Sequence, residues 1–183
     1  MDSRTTLLGG LTALCLLGQA AVAADSNKTG AAQVLAVPDS ALAVIGKWRG
    51  TWEVKARRLH PPPAQDVTYT ETFDWVLDGR FLRAESSRKS DGTRTMTMFW
   101  FDVFTKSYRY VIFDAAGYGL ELPPPTWNES TQTMEWKSGR LSPASYEAHA
   151  HFLDSDTIQW KSLWKDWKGA PLIELEGVSV RRK

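Results

Sequence analysis

Residues 67–88 read VTYTETFDWVLDGRFLRAESSR, and this stretch decides the fold class. Apolar and polar side chains alternate before Asp78, and the alternation resumes after Gly79. A period of two residues is typical of a half-buried β-strand. Asp-Gly between two such runs is a strong hairpin signal, because both central residues of a type I′ turn need a positive φ. We therefore predict that strands 67–77 and 80–88 pair in an antiparallel hairpin.

One face of the first strand combines three aromatic rings with a single carboxylate: Tyr69, Glu71, Phe73 and Trp75. The other face carries mainly threonine and aspartate, so we expect the aromatic face to point inward. Burial of an aromatic side chain stabilises by several kcal/mol, at ~25 cal/mol per Å² over roughly 150–250 Å². That gain outweighs the desolvation of Glu71 when a cation or a ligand donor reaches it.

These four side chains are therefore predicted to line an interior that binds a ligand. We expect Trp52 and Trp160 on the opposite wall of that interior. Arg83 on the returning strand is the candidate partner for Glu71. If Arg83 does not reach the carboxyl group, the pKa of Glu71 should be raised, because burial disfavours the charged form.

The rest of the chain repeats this pattern in short alternating runs bounded by Gly, Pro, Asp or Ser. The runs follow one another at roughly ten-residue spacing, which indicates about nine or ten antiparallel strands. A short helix is predicted over 40–45, ahead of the first strand at 48–56. This organisation is typical of an all-β sandwich or an up-and-down β-barrel.

Composition narrows the classes of partner. The 183 residues include 22 Lys and Arg against 21 Asp and Glu, a net charge of +1. A dedicated nucleic-acid binder or a polybasic membrane-surface protein carries a strong basic excess, so neither class fits. Nine Trp are present. We expect much of the buried area to be aromatic, and the expected partner is a small hydrophobic or aromatic molecule.

The N-terminal segment has the organisation of a secretory signal peptide. An apolar run from Leu7 to Leu17 is followed by small residues that end in Ala21-Val22-Ala23. The run is shorter than the ~20 apolar residues of a membrane span, so no stable span is expected after cleavage. We predict a signal peptide over 1–23, a flexible leader over 24–38 and a barrel domain over 39–183. The mature protein is then secreted or periplasmic.

Motifs for catalysis and metal binding are sparse. The sole cysteine, Cys15, lies in the predicted signal peptide, so no thiol chemistry is expected in the mature chain. His149 and His151 share one strand face and could begin a metal site, but the apolar face of that strand is the other one. The two histidines are therefore expected to face solvent. No metal and no cofactor is predicted, and Trp167 is a candidate gate at a barrel mouth.

Two motifs resemble a known family. Gly46-x-Trp48 and Gly50-x-Trp52 form a G-x-W-x-G-x-W-like opening, and 75–82 match a W-x-L-x-G-R-F-L hairpin. Together they resemble a family of lipocalin-like, often exported bacterial proteins of unknown function, over residues 42–182. The resemblance implies a lipocalin-like barrel with one short N-terminal helix. It also implies that Trp48 packs across a closed barrel end.

In the lipocalin superfamily a basic side chain of the last strand covers the ring of that tryptophan in a cation–π contact. The resemblance therefore implies that Arg181 or Arg182 covers Trp48. It assigns no activity, because the family itself is of unknown function.

Three functional hypotheses follow. The first is an exported barrel that binds an apolar or aromatic ligand in its interior. The second is an enzyme that uses the same interior, with Glu71 as acid or base. The third is a filled structural barrel without a ligand. A cavity of several hundred Å³ in which Glu71 and Arg83 converge favours the first two, and a packed interior favours the third.

Overall fold

The computed structural model describes residues 35–139 and 144–183. In this part of the chain one helix, α1 (Asp39–Gly46), precedes eleven strands of one antiparallel sheet. The strands are β1 (Gly50–His60), β2 (Gln65–Val76), β3 (Phe81–Ser86), β4 (Thr95–Asp102), β5 (Ser107–Asp114), β6 (Tyr118–Glu121), β7 (Thr126–Asn128), β8 (Thr133–Lys137), β9 (Ser145–Phe152), β10 (Thr157–Lys165) and β11 (Pro171–Arg181).

The strand order is that of an up-and-down barrel with one seam. Strands that follow one another in the chain are paired, except β6 and β7, and β1 is paired with β11. The predicted all-β antiparallel barrel with one short helix is confirmed. The strand count is higher than predicted because β7 adds a three-residue strand directly after Pro123, Pro124 and Pro125.

Side chains bridge the seam where backbone hydrogen bonds do not. Tyr110 on β5 and Trp136 on β8 meet edge to face, with ring centroids 5.4 Å apart. Such aromatic pairs contribute beyond the area they bury. The two halves of the sheet are therefore held together across the interior by ring packing.

The hairpin at Asp78-Gly79 forms as predicted. The Arg80 amide donates a hydrogen bond to the Leu77 carbonyl at 3.2 Å. The φ values of Asp78 and Gly79 are 58° and 76°, as a type I′ turn requires. The turn sets the register of the two strands, which pairs Val76 with Phe81.

That register decides which side chains share a face. Glu71 lies opposite Ser86, so odd-numbered residues of β2 share a face with even-numbered residues of β3. Arg83 therefore projects from the other face of the sheet, where it lies 3.4 Å from Glu85. The expected Arg83–Glu71 pair is wrong, because a hairpin with this turn places the two residues on opposite faces.

One end of the barrel, here called the helix end, is filled by aromatic packing around Trp48. Its indole meets Phe99, Trp127 and Phe152 edge to face, at centroid distances of 5.3, 6.4 and 4.7 Å. Ile45 of α1 is fully buried in the same cluster. Trp48 is thus buried at one barrel end, as the resemblance implied.

The arginine of the last strand covers Trp52 rather than Trp48. The Arg181 guanidinium lies 4.1 Å from the centroid of the Trp52 ring. Trp52 and Arg181 are register partners on β1 and β11 and so share a face, whereas Trp48 precedes β1. Arg182 points the other way and pairs with Glu53 at 2.9 Å.

Arg181 still supports Trp48, through the backbone on either side of it. Its guanidinium donates hydrogen bonds to the Lys47 carbonyl, at 2.8 Å, and to the Arg49 carbonyl. The Trp52 indole N–H donates to the Trp48 carbonyl at 2.6 Å. A Cβ at residue 50 would lie 3.0 Å from the Arg181 Nη1 atom, and its φ of 113° also favours glycine.

The predicted signal peptide and residues 24–34 of the predicted leader lie outside the described residues. In the described part of the chain, no helix has the length and apolar character needed to cross a membrane.

Candidate ligand site in the barrel interior

On β10 and β11 the inner face becomes less buried away from the helix end. On β10, Ile158 is buried, whereas Trp160, Ser162 and Trp164 are half-buried. On β11, Ser179 is buried and Leu175 is half-buried. The end of the barrel opposite α1, here called the mouth, therefore leaves part of the inner face of β10 and β11 accessible.

Glu71 is the one carboxylate that the aromatic face of β2 carries into this interior. Its neighbours on the adjoining strands are Trp52 and Ser86. Burial raises the pKa of Glu71 to about 7, and the charge of Lys89 opposes the shift. Among the described residues no side chain donates a hydrogen bond to it and no cation forms an ion pair with it. Glu71 is therefore an unpartnered acid that exchanges its proton near neutral pH.

Two tyrosines share the interior with this carboxyl group. Burial raises the pKa values of Tyr69 and Tyr110, and the negative charge of Glu71 raises both further. Tyr110 is also hydrogen-bonded to Thr97, which is buried. Both phenols stay protonated at neutral pH, so they can donate or accept hydrogen bonds beside Glu71.

Lys89 reaches the interior from the loop between β3 and β4. The loop runs alongside β2, because the Ser87 amide donates to the Thr70 carbonyl at 2.8 Å and the Ser90 amide to the Thr68 carbonyl at 3.0 Å. Lys89 lies between these anchor points, with its ammonium 4.7 Å from the centroid of the Tyr69 ring. This geometry is a cation–π contact.

Trp160 forms part of the interior wall on β10. Its indole N–H donates to the Ser179 hydroxyl at 3.1 Å. The ring lies over Gly177 of β11, where an added Cβ would be 2.5 Å from the Trp160 Cζ2 atom. Glycine at this position therefore lets the indole lie flat against the neighbouring strand. Trp160 packs against the core and remains half-buried.

The other sequence-predicted residues divide into two groups. Trp52 and Phe73 are fully buried in the core, so they support the wall more than they offer surface to a ligand. Trp52 is also adjacent to Glu71 on the neighbouring strand, not across the interior as expected. Trp75 is half-buried and lies near Gly46 of α1. Arg83 is exposed on the outer face.

Two interior groups were missed from the sequence. The sequence pattern does indicate an inward-facing Tyr110, because Tyr108, Tyr110 and Ile112 alternate along β5 with the period of a strand. Lys89 has none, since it lies in a loop whose course depends on hydrogen bonds to β2.

The outer surface offers a different kind of site. A groove of about 580 Å³ lies over β1, β10 and β11 and is lined largely by outward-facing residues such as Lys55, His149 and Gln159. His149 and His151 are exposed, as predicted. Among residues 35–139 and 144–183, no group of three or more His, Cys, Asp or Glu side chains is arranged to hold a metal ion.

Trp167 lies in the turn between β10 and β11 and is 75% exposed. The Lys168 ammonium lies 4.7 Å from the centroid of its ring. This turn is at the mouth, because β11 runs from it toward the helix end. The exposed Trp167 ring therefore lies at the mouth, the position expected of the candidate gate.

Solved structures are similar to this chain at low sequence identity. The S-type phycobiliprotein lyase CPES from Guillardia theta matches with a TM-score of 0.50 and 12% identity, over 77% of this chain and 92% of that chain. A de novo designed fluorescence-activating β-barrel matches with a TM-score of 0.42 and 15% identity, over 80% of this chain and 100% of that one.

A protein of unknown function from the DUF3598 family of Nostoc punctiforme matches with a TM-score of 0.46 and 15% identity. That match covers 75% of this chain and 48% of the other. At these identities the likeness concerns the fold. The comparison with curated proteins gives no match.

The family model described as "Protein of unknown function (DUF1579)" matches residues 38–171, which include α1, the hairpin at Asp78-Gly79 and most of the barrel. The chain therefore belongs to the DUF1579 family.

Proposed function

We propose that this protein is an exported barrel that binds an apolar or aromatic small molecule in its interior, with Glu71 as the polar anchor. The observation that carries the proposal is the unpartnered Glu71 carboxyl group on a half-buried, largely aromatic inner face. A buried acid without a partner is costly, and a ligand donor removes that cost.

The half-buried inner face favours a ligand-binding barrel over a structural barrel that is filled by its own side chains. Ala148, Trp160 and Ser162 keep accessible surface on the inner face toward the mouth. Small side chains at two of these positions leave space beside the Trp160 ring. An aromatic body of a ligand would bury apolar area there and displace water.

Binding to the interior is tested with N-phenyl-1-naphthylamine, a neutral dye that becomes fluorescent in apolar surroundings. We expect saturable binding with one site per protein. Ala148→Phe should fill the interior and weaken dye binding by at least about 10-fold, equivalent to about 1.4 kcal/mol. The control is His149→Phe, which adds the same ring one residue away on the outer face. Equal effects of the two variants, or no saturable binding, would contradict the proposal.

The role of Glu71 is tested with a pair of ligands that share one ring system. 2-Naphthol carries a hydroxyl donor, and 2-methoxynaphthalene does not. We expect the naphthol to bind more tightly to the wild type, and Glu71→Gln to reduce its advantage by about 10-fold, because hydrogen bonds to charged groups contribute roughly 1.5–3 kcal/mol. Glu85→Gln is the control, since that carboxylate lies on the outer face. An unchanged advantage in Glu71→Gln would remove the anchor role.

Export is the second part of the proposal and is supported by the apolar run and the Ala-x-Ala ending within residues 1–23. Expression of the full chain in a bacterial host should yield a mature protein that begins after Ala23, in the periplasm or the medium. The intact mass of the purified protein measures the cleavage site. An intact N-terminus on cytosolic protein would contradict export.

Acid–base catalysis in the same interior is a second candidate function. The observation that favours it is the Glu71 pKa of about 7 beside two phenols, since a general acid or base works best near the pH of its medium. Native mass spectrometry of protein purified from its own host distinguishes the two functions. A molecule that is retained chemically unchanged favours binding. Conversion of that molecule by the wild type, lost in Glu71→Gln, favours catalysis.

A further inference from the structure

We infer that the mouth of the barrel contains an anion subsite formed by Arg58 and Lys89, so that the ligand is an apolar or aromatic molecule with one anionic group. This inference rests on the proposed function, because it names the class of ligand that the interior accepts. The anionic group would lie at the mouth, and the apolar body would extend toward Trp160.

Arg58 supplies the first cation. It lies on the inner face of β1, because Trp52, Val54 and Ala56, the other even-numbered residues of that face, are buried. Its Nη2 atom donates to the Gln65 side-chain oxygen at 2.6 Å. Its Nε atom is buried and has no hydrogen-bond partner among the described residues. A guanidinium with a buried free donor is an incomplete site that an oxyanion can complete.

Lys89 supplies the second cation. Its ammonium contacts the face of the Tyr69 ring, and none of the described carboxylates lies within 4 Å of it. Tyr69 is one inner-face position nearer the mouth than Glu71 on β2. The ammonium therefore lies between the mouth and the buried acid, where it separates an incoming anion from Glu71.

Asp91 connects the two cations electrostatically. Burial favours a higher pKa for its carboxyl group, but hydrogen bonds from Thr93 and the charges of Lys89 and Arg58 hold the pKa below its usual range. The Asp91 carboxylate accepts from the Thr93 amide at 3.0 Å and from the Thr93 hydroxyl at 2.7 Å. Its hydrogen bonds hold it in its own loop, where its single negative charge faces the two positive charges of Arg58 and Lys89.

A singly charged oxyanion suits this arrangement better than a cation does. A cationic ligand would meet Arg58 and Lys89 before it reached Glu71, and like charges at a mouth lower the local concentration of the ligand. An anionic group would accept a hydrogen bond from the Arg58 Nε and pair with the Lys89 ammonium. Its apolar body would then pass Tyr69 into the interior.

The test uses two dyes with one ring system. 8-Anilinonaphthalene-1-sulfonate carries a sulfonate, and N-phenyl-1-naphthylamine lacks it. We expect the wild type to bind the sulfonate more tightly by at least about 10-fold at low salt, with a preference that shrinks as ionic strength rises. Lys89→Met and Arg58→Met should each weaken binding of the sulfonate several-fold more than they weaken binding of the neutral dye.

The chain offers matched controls on the same strand. Lys55→Met and Arg57→Met remove cations whose side chains are exposed on the outer face of β1. Neither control should change the preference. A change in the controls equal to that in Lys89→Met would show general surface attraction and overturn the subsite.

The outcomes separate this inference from the proposed function. Interior binding of the neutral dye without a preference for the sulfonate overturns the anion subsite and leaves the binding barrel intact. Failure of both dyes to bind overturns both. If Arg58→Met does not fold, the anion subsite is tested by Lys89→Met and by the salt dependence of wild-type binding to the two dyes.

Discussion

The two ends of this barrel are built from the same alternating strands but differ in what their inner faces carry. At the helix end, Trp48, Phe99 and Phe152 are buried, and Arg181 donates hydrogen bonds to the backbone on both sides of Trp48. At the mouth, Arg58 and Lys89 face a half-buried interior, with Glu71 deeper inside. Aromatic content alone therefore does not distinguish a packed core from a binding site. Unpaired polar groups on the same face make the distinction.

The largest expected effect separates the two ends by stability. Trp52→Ala should lower the free energy of unfolding by roughly 3–5 kcal/mol, because it removes a fully buried ring and leaves a cavity. Trp167→Ala, at the mouth, should change it by less than about 0.5 kcal/mol, since that ring is exposed. Urea denaturation measures both. Similar losses for the two tryptophans would erase the contrast between the ends.

The second effect concerns the pH dependence of stability. The pKa of Glu71 is about 7 in the folded protein against 4.5 when unperturbed, so the unfolded state loses this proton first as pH rises. Stability should therefore fall as pH rises from about 4.5 to about 7, and Glu71→Gln should recover up to ~3 kcal/mol at about pH 8 and nothing at about pH 4.

Tyr69 and Tyr110 feel the charge of Glu71, and both phenols stay protonated across this range because burial raises their pKa values. The charge of Lys89 opposes the shift of Glu71. Chemical denaturation at several pH values gives the profile. Glu85→Gln is the control, and its profile should follow that of the wild type. A Glu71→Gln profile parallel to the wild type would show that the carboxyl group is solvated or paired.

The third effect compares two adjacent arginines. Arg181→Ala removes the cation–π contact with Trp52, the hydrogen bonds to three carbonyls and the ion pair with Asp156, at a cost of about 2 kcal/mol. Arg182→Ala removes an exposed ion pair with Glu53, which contributes less than about 1 kcal/mol. Thermal unfolding of both variants tests the difference. Equal shifts would show that Arg181 does not support the helix end.

The smallest effect should be the same at both ends. Gly79→Ala at the helix end and Gly169→Ala at the mouth each place a side chain at a φ near 80°, with no heavy atom within 4 Å of the added Cβ. Each should cost about 1 kcal/mol, because the strain is confined to the local backbone. A much larger loss for either variant in denaturation would indicate that its turn is coupled to the packing of that end.

The strands and the hairpin turn could be predicted from the sequence. The alternation over 67–77, the Asp78-Gly79 turn and the short strands around them predict the hairpin and the barrel. The inward direction of Tyr69, Glu71 and Phe73 follows from the same parity. These features depend on local backbone geometry, which a short stretch of chain carries by itself.

Relations between strands were harder to predict. The sequence favours an Arg83–Glu71 pair because both residues alternate with aromatic residues, but the register of the hairpin places them on opposite faces. Trp52 was expected across the interior and is instead the neighbour of Glu71 on β1. The arginine expected over Trp48 covers Trp52, its register partner. Parity within a strand says nothing about which strand lies alongside.

Strand periodicity and turn chemistry are local, so the residues alone specify the all-β class, the hairpin and one acid on an aromatic strand face. The folded chain is needed to see that Glu71 has no partner among the described residues, that Lys89 contacts the Tyr69 ring, and that Arg58 keeps a free buried donor. Those facts depend on the pairing of β1 with β11 and on the loop that runs along β2, contacts between residues far apart in the chain whose register no local pattern specifies.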